Sequence, residues 1–127
     1  MKQKEARPMA KKILVVEDSR AFRQQIVITL EREGFQTVEA GDGSEGVKKL
    51  KSESFDIAVV DVNMPNLNGL DMVSQVKSDN VYQGPIIMLT TEGERDVISK
   101  GRDLGIDCWM VKPFDPTALV EAIKKLS

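Results

Sequence analysis

Short, uninterrupted apolar runs alternate along the chain with longer stretches in which apolar residues recur at helical spacing. Ile13-Leu14-Val15-Val16 is the first run and predicts a strand. Phe22, Ile26 and Leu30 then recur at i, i+4 and i+8, which predicts a helix that Asp18 or Ser19 can cap and Gly34 can close. Residues 35–40 predict a second strand, Gly41-Asp42-Gly43-Ser44 a turn and helix start, and Val47 and Leu50 the inner face of a short second helix. A third strand is expected over residues 55–60 and a loop over residues 65–69, after which Leu70, Val73 and Val76 mark a third helix. Residues 85–89 predict a fourth strand that delivers Thr90 and Thr91. Residues 94–104 predict a helix of weak amphipathy, interrupted by Gly101, with only Val97, Ile98 and Leu104 apolar. Residues 108–111 predict a fifth strand. Asp115-Pro116 then opens a last helix with Leu119, Ile123 and Leu126 as its stripe, the proline standing at the first position, where a missing N–H breaks no bond.

Strands that are apolar throughout are buried on both faces, and strands separated by helices pair in parallel. Five such units predict an α/β fold, a doubly wound five-stranded parallel sheet with five helices. Ligands in such folds bind outside the carboxyl ends of the strands. Several polar residues stand at those ends. Glu17-Asp18 follows the first strand, Asp61 the third, Thr90 the fourth and Lys112-Pro113 the fifth. A buried carboxylate costs several kcal/mol unless it is compensated. Asp18 and Asp61 meet only if the first and third strands are neighbours, and together they then need a counter-ion. All-oxygen ligation with few protein groups suits Mg²⁺, which keeps several waters. Glu17 is expected to act through a water rather than as a direct ligand. Taken singly, each residue has an ordinary reading: an acid capping a helix, a solvated lysine, a hydroxyl at a strand end. Their joint placement points instead to a divalent cation and a phosphoryl group.

Length and charge narrow the classes. At 127 residues the chain has the size of one domain, and a net charge of −2 argues against a general nucleic-acid binder. Composition predicts a basic, flexible leader over residues 1–11, with a basic docking arm as the less favoured alternative, and a folded domain over residues 12–127. No apolar stretch approaches the ~20 residues of a membrane span, and there is no signal-peptide core, so a cytoplasmic location is the default. Cys108, the only cysteine, lies in an apolar run and reads as a small buried hydrophobe. With no histidine in the chain, a histidine-based metal site or general base is excluded.

Val15-Val16-Glu17-Asp18-Ser19, Asp61-Val62-Asn63-Met64-Pro65, Gly69, Leu89-Thr90 and Val111-Lys112-Pro113-Phe114 resemble the receiver domain of two-component response regulators, of the CheY-like, flavodoxin-like type. The resemblance covers nearly the whole chain. It implies the strand order 2-1-3-4-5, with Asp61 as phosphoacceptor for the phosphohistidine of a sensor histidine kinase or phosphotransfer protein. It implies Mg²⁺ held by Asp18, Asp61 and the backbone carbonyl of Asn63 with support from Glu17, phosphoryl oxygens bound by Lys112 and Thr90, and a cis Lys112-Pro113 bond. Thr90 and an aromatic on the fifth strand, here Trp109, form the implied switch, which acts on the surface of the fourth helix, fifth strand and fifth helix. Tryptophan is bulkier than the usual tyrosine or phenylalanine. Inward rotation of the ring and simple packing at the sheet edge both remain open. Thr91 replaces a small residue and can narrow access to Asp61; Asn63 and Glu92 flank the acceptor as in chemotaxis receivers. The expected protein is a stand-alone receiver, a monomer or weak dimer with no DNA-binding domain, no external substrate turnover and a protein target downstream. The alternatives are a receiver cut from a longer regulator and a phosphate-independent interaction module, the latter expected to lack an acid or the lysine. A haloacid-dehalogenase-type phosphatase carries its nucleophile after the first strand with an acid two residues on, where this chain has Asn63. A flavodoxin-type carrier needs a phosphate loop after Val16, which is missing here.

Overall fold

The computed structural model describes residues 10–64, 66–91 and 95–127, without the side chains of Arg95 and Asp96. The basic leader, apart from its last two residues, together with Pro65, Glu92 and Glu94 of the expectations above, lies outside the described residues. Among the described residues five strands, β1 (Lys12–Val16), β2 (Gln36–Ala40), β3 (Ile57–Asp61), β4 (Ile86–Thr91) and β5 (Cys108–Lys112), alternate with five helices, α1 (Arg20–Arg32), α2 (Gly43–Ser52), α3 (Gly69–Ser78), α4 (Arg95–Asp103) and α5 (Pro116–Leu126). All strand pairs are parallel, in the order β2-β1-β3-β4-β5. Both the fold class and the implied order hold.

The two-sided burial expected of apolar strands is complete in the centre of the sheet. Alternate side chains of β1, β3 and β4 enter two cores. Leu14, Val16, Ala58, Val60, Ile86 and Met88 meet α2 and α3 through Val47, Leu50, Met72, Val73 and Val76. Ile13, Val15, Ile57, Val59, Ile87 and Leu89 meet α1 and α5 through Ile26, Leu30, Leu119 and Ile123. Each of these side chains other than Ala58 contributes on the order of 1.5–3 kcal/mol. β2 and β5 are edges, and their residues are mostly half-buried.

Caps fix the helix starts. Of the two candidates ahead of α1 it is Ser19 that caps, its Oγ accepting from the Phe22 N–H at 3.3 Å. Asp42, Asn68 and Asp115 do the same for α2, α3 and α5, and Gly34 turns the chain out of α1 with φ 91°. Gly69 is the first residue of α3 and not the end of a loop. A Cβ there would lie 2.2 Å from the Asp61 carbonyl oxygen, so only glycine lets α3 press against the end of β3. Its N–H donates to the Val62 carbonyl at 2.9 Å, which pins the segment carrying Asn63. Three strands run past their apolar stretches, to Asp61, Thr91 and Lys112. Asp61, Thr90 and Lys112 thus lie within the ladder, whereas Glu17 and Asp18 follow it.

Candidate functional site

β1 and β3 are paired neighbours, with Val16 opposite Val60, so the residues that follow them converge. Carboxylate oxygens of Glu17, Asp18 and Asp61 lie within 4.8 Å of one another. Glu17 and Asp61 are buried and Asp18 is exposed, so the cluster opens to solvent through Asp18. Lys112 arrives from β5 on the same face of the sheet. Its Nζ lies 2.9 Å from Glu17 Oε1 and 3.0 Å from Asp61 Oδ1. The other Glu17 oxygen accepts from the Ser19 N–H at 3.1 Å, and the Asn63 N–H donates to the Asp61 carboxylate. The Lys112-Pro113 bond is cis, as the resemblance implies.

Burial pushes the Asp61 carboxyl above its ordinary range; Lys112 opposes that rise, and Asp18 adds to it. Burial likewise raises Glu17, against Lys112 and the Ser19 N–H, with Asp61 adding to the rise. For Lys112, burial alone would lower the ammonium, but its bonds to Glu17 and Asp61 outweigh that and hold it above its usual value. Three carboxylates against one ammonium leave two formal negative charges in the pocket. A set of clustered oxygens with that residual charge fits a divalent, oxygen-preferring ion. Glu17 already has a protein donor on each oxygen, which agrees with a supporting rather than a direct role.

Thr90 is fully buried at the end of β4, one residue past Leu89, which pairs with Asp61. Its hydroxyl donates to the Thr91 carbonyl at 3.4 Å. Thr91 is exposed and pairs with Lys112 across the sheet edge. Trp109 is half-buried on the sheet face that Thr90 shares and, like Val97, Leu104 and Ile106, packs against the core on that side. Cys108 is only half-buried, against the expectation of a buried hydrophobe, because β5 is an edge; burial still raises its thiol.

Three residues of the site were not visible as such in the sequence. Gly101 does not interrupt α4. It is the seat of Trp109, and a Cβ there would lie 2.0 Å from the indole Cζ2. Gly101→Ala is therefore expected to push the only tryptophan off its seat and to cost about 1–3 kcal/mol. A lower Tm with shifted indole emission checks this; an unchanged spectrum would show the contact to be loose. Arg23 donates through Nη1 to the Glu17 carbonyl at 2.7 Å and through Nε to Glu39 at 2.8 Å, tying the acidic turn to β2. Phe22, read from its spacing as part of the α1 stripe, lies with its ring centroid 4.6 Å from Lys112 Nζ.

Comparison with known proteins matches residues 13–124 to the response regulator receiver domain. The chain belongs to the receiver family. This receiver is 40% identical over 116 residues to the chemotaxis protein CheY1 of Helicobacter pylori, covering 89% of this chain and 94% of that one. It is 35% identical over 115 residues to the transcriptional regulatory protein PdtaR of Mycobacterium tuberculosis, but spans only 55% of that protein's length while 90% of the receiver is matched. Among solved structures it is similar to the chemotaxis protein CheY4 of Vibrio cholerae, with a TM-score of 0.86 and 35% identity over 93% of this chain and 99% of that one. It is thus a CheY-like receiver of two-component signalling, and receiver domains as a family act as phosphorylation-based switches. Among the described residues no helix is long and apolar enough to cross a membrane.

Proposed function

We propose that this receiver takes a phosphoryl group onto Asp61 from the phosphohistidine of a sensor kinase or phosphotransfer protein in the cytoplasm and passes the signal on by protein binding. The observation that carries the reading is the shared pocket of Glu17, Asp18, Asp61 and Lys112, with two formal negative charges left over. An Asp61 carboxylate oxygen attacks phosphorus, the P–N bond breaks, and the electron pair leaves with the imidazole; the product is an aspartyl phosphate, later cleaved by water. Phosphoryl transfer asks mainly for positioning and charge neutralisation. Asp18, Asp61 and the Asn63 carbonyl would hold Mg²⁺, with Glu17 supporting it. When bound, the ion offsets the charge on the phosphoryl oxygens and the acids together.

The protein's own groups supply the rest. The Asn63 N–H orients the Asp61 carboxylate. Lys112, already on Asp61, follows the negative charge as it moves out onto the phosphoryl oxygens, and the Thr90 hydroxyl binds one of those oxygens. Loss of the Lys112–Asp61 attraction then biases the β5 end, Trp109 and the α4–β5–α5 surface, where a downstream protein docks. The domain doing this is residues 12–127, with residues 1–11 as a leader. Trp109 on its Gly101 seat favours a switch read through α4.

Incubation with acetyl phosphate and Mg²⁺ tests the reading by intact mass. One added phosphoryl group that hydroxylamine removes is expected; steady turnover of phosphate monoesters without a labelled protein would overturn it. Mg²⁺ alone should raise Tm logarithmically with its concentration above Kd, by about 1.4 kcal/mol of stability at ten times Kd, and by much less in Asp18→Asn. Equal responses of the two proteins would remove Asp18 from the metal site.

A further inference from the structure

The Lys112 ammonium has three N–H donors. Two are directed to Glu17 at 2.9 Å and Asp61 at 3.0 Å. The cation also meets the ring of Phe22, 4.6 Å from its centroid, well within the ~6 Å over which an aromatic quadrupole attracts an ammonium. The ring is not free to drift. It packs on Phe114 with centroids 5.7 Å apart at 73°, the T-shaped arrangement that aromatic pairs prefer. Its backbone N–H is capped by Ser19, and the next residue, Arg23, grips the Glu17 carbonyl. Phe114 in turn stands two residues past Lys112. The first turn of α1 and the segment after β5 therefore close around the lysine through two rings.

We propose that Phe22 is a positioning residue for Lys112, its ring holding the ammonium within reach of the acceptor by cation–π attraction while the ammonium exchanges anionic partners. The inference rests on the acceptor reading above. A lysine side chain has four rotatable carbons, and ion pairs with Glu17 and Asp61 alone would leave its resting place to two carboxylates, one of which loses its charge on phosphorylation. Transfer turns Asp61 into a neutral acyl group and moves the negative charge out onto the phosphoryl oxygens. The ammonium has to follow. With Glu17 as its only other partner it would be drawn back to the buried acid. An aromatic face has no lone-pair direction, so its attraction persists while the cation shifts over it, and it does not compete with a phosphoryl anion for hydrogen bonds. The fixed ring also keeps water off one side of the cation, which strengthens its pull on the charge it must neutralise.

Phe22→Leu keeps an apolar side chain of similar reach and removes the ring face; Phe22→Tyr keeps both. Two measurements read the difference, and neither needs a kinase. In metal-free protein the Lys112 Hε resonances are expected upfield through the Phe22 ring current, to lose that shift in F22L and regain it in F22Y. With Mg²⁺, beryllofluoride stands in for the phosphoryl group, and its affinity by fluorine NMR is expected to fall about fivefold in F22L and return in F22Y. A role confined to packing on Phe114 would lower Tm in F22L and leave its beryllofluoride affinity unchanged. Bound fluoride of equal affinity in wild type and F22L, or F22Y as weak as F22L, overturns the inference alone. No bound fluoride in wild type overturns the acceptor reading, and this inference falls with it. Should F22L lose the native amide spectrum, Phe22→Met carries the same comparison.

Discussion

Asp61→Asn should abolish acyl-phosphate formation, reducing labelling by acetyl phosphate and Mg²⁺ to background. The side chains are nearly isosteric, so the Asn63 N–H and the Lys112 ammonium keep an oxygen to bind, but an amide oxygen is no nucleophile toward phosphorus at neutral pH. Labelling that persists undiminished would mean that another residue is the acceptor. The same variant has an opposite effect on stability, which makes the prediction two-sided. The Asp61 carboxyl is raised above its ordinary value by burial, with Asp18 adding to the rise. Above that raised value the folded protein holds a charge that the unfolded chain accommodates more easily, and the native state bears the cost. As pH falls through the folded pKa the native carboxyl takes a proton before the unfolded one does, and the cost is relieved. Metal-free Asp61→Asn should therefore be more stable than wild type at neutral pH, by on the order of 1 kcal/mol or roughly 3–6 °C in Tm for a domain of this size. The gap should close as pH is lowered toward 4–5, where the ordinary carboxylate range begins. Mg²⁺ should invert the order by stabilising only the protein that can hold it. Thermal scans in chelator and in Mg²⁺ across this pH range check all three statements.

How much of this was legible in the chain follows from what each signal is. The central strands were legible because burial on both faces demands an unbroken apolar run, and Val15, Val59 and Ile87 have no polar alternates among their neighbours. The gathering of Asp18, Asp61 and Lys112 was legible because strand ends in a parallel sheet share one edge. The exact ends of β3, β4 and β5 were not, since the backbone ladder is indifferent to side chains and continues under Asp61, Thr91 and Lys112 after the hydrophobic signal stops. Phe22 was hidden by its own period. Spacing at i, i+4 and i+8 places a side chain on the inner half of a helix and is blind to whether a ring then meets aliphatic carbon or an ammonium 90 residues away. Gly101 was misread because helix propensity counts a glycine as a weakness, whereas its function is to make room for the indole of Trp109 on a different element. Such steric complements across elements leave no trace in local pattern. For Trp109, rotation and packing both stay open, since a half-buried indole on a glycine seat is compatible with either.

Lys112 is the residue whose loss should disturb both chemistry and fold. Its side chain is 22% exposed, and its ammonium bridges Glu17 and Asp61, whose side chains are 1% and 4% exposed. Removing one partner of a fully buried ion pair costs about 3–5 kcal/mol, because the charge left behind stays unpaired. With the lysine partly solvated, Lys112→Ala should cost about 2–3 kcal/mol in metal-free protein at neutral pH. Three carboxylates then share the pocket with no cation. The same imbalance should make the variant bind Mg²⁺ more tightly than wild type and regain most of its Tm when the ion is added, since the ion becomes the only counter-charge. Phosphorylation by acetyl phosphate should persist at a reduced rate, but without the ammonium that links the phosphoryl oxygens to β5, indole emission from Trp109 should no longer respond. Lys112→Arg separates charge from position. Its guanidinium restores the counter-charge and with it the metal-free stability, yet the planar fork cannot occupy the point-like place between two carboxylates and the Phe22 face. Stability restored together with a defective Trp109 response is the expected result. A full response in Lys112→Arg would show that charge alone drives the switch, and a metal-free Lys112→Ala as stable as wild type would show that the acids are compensated from elsewhere.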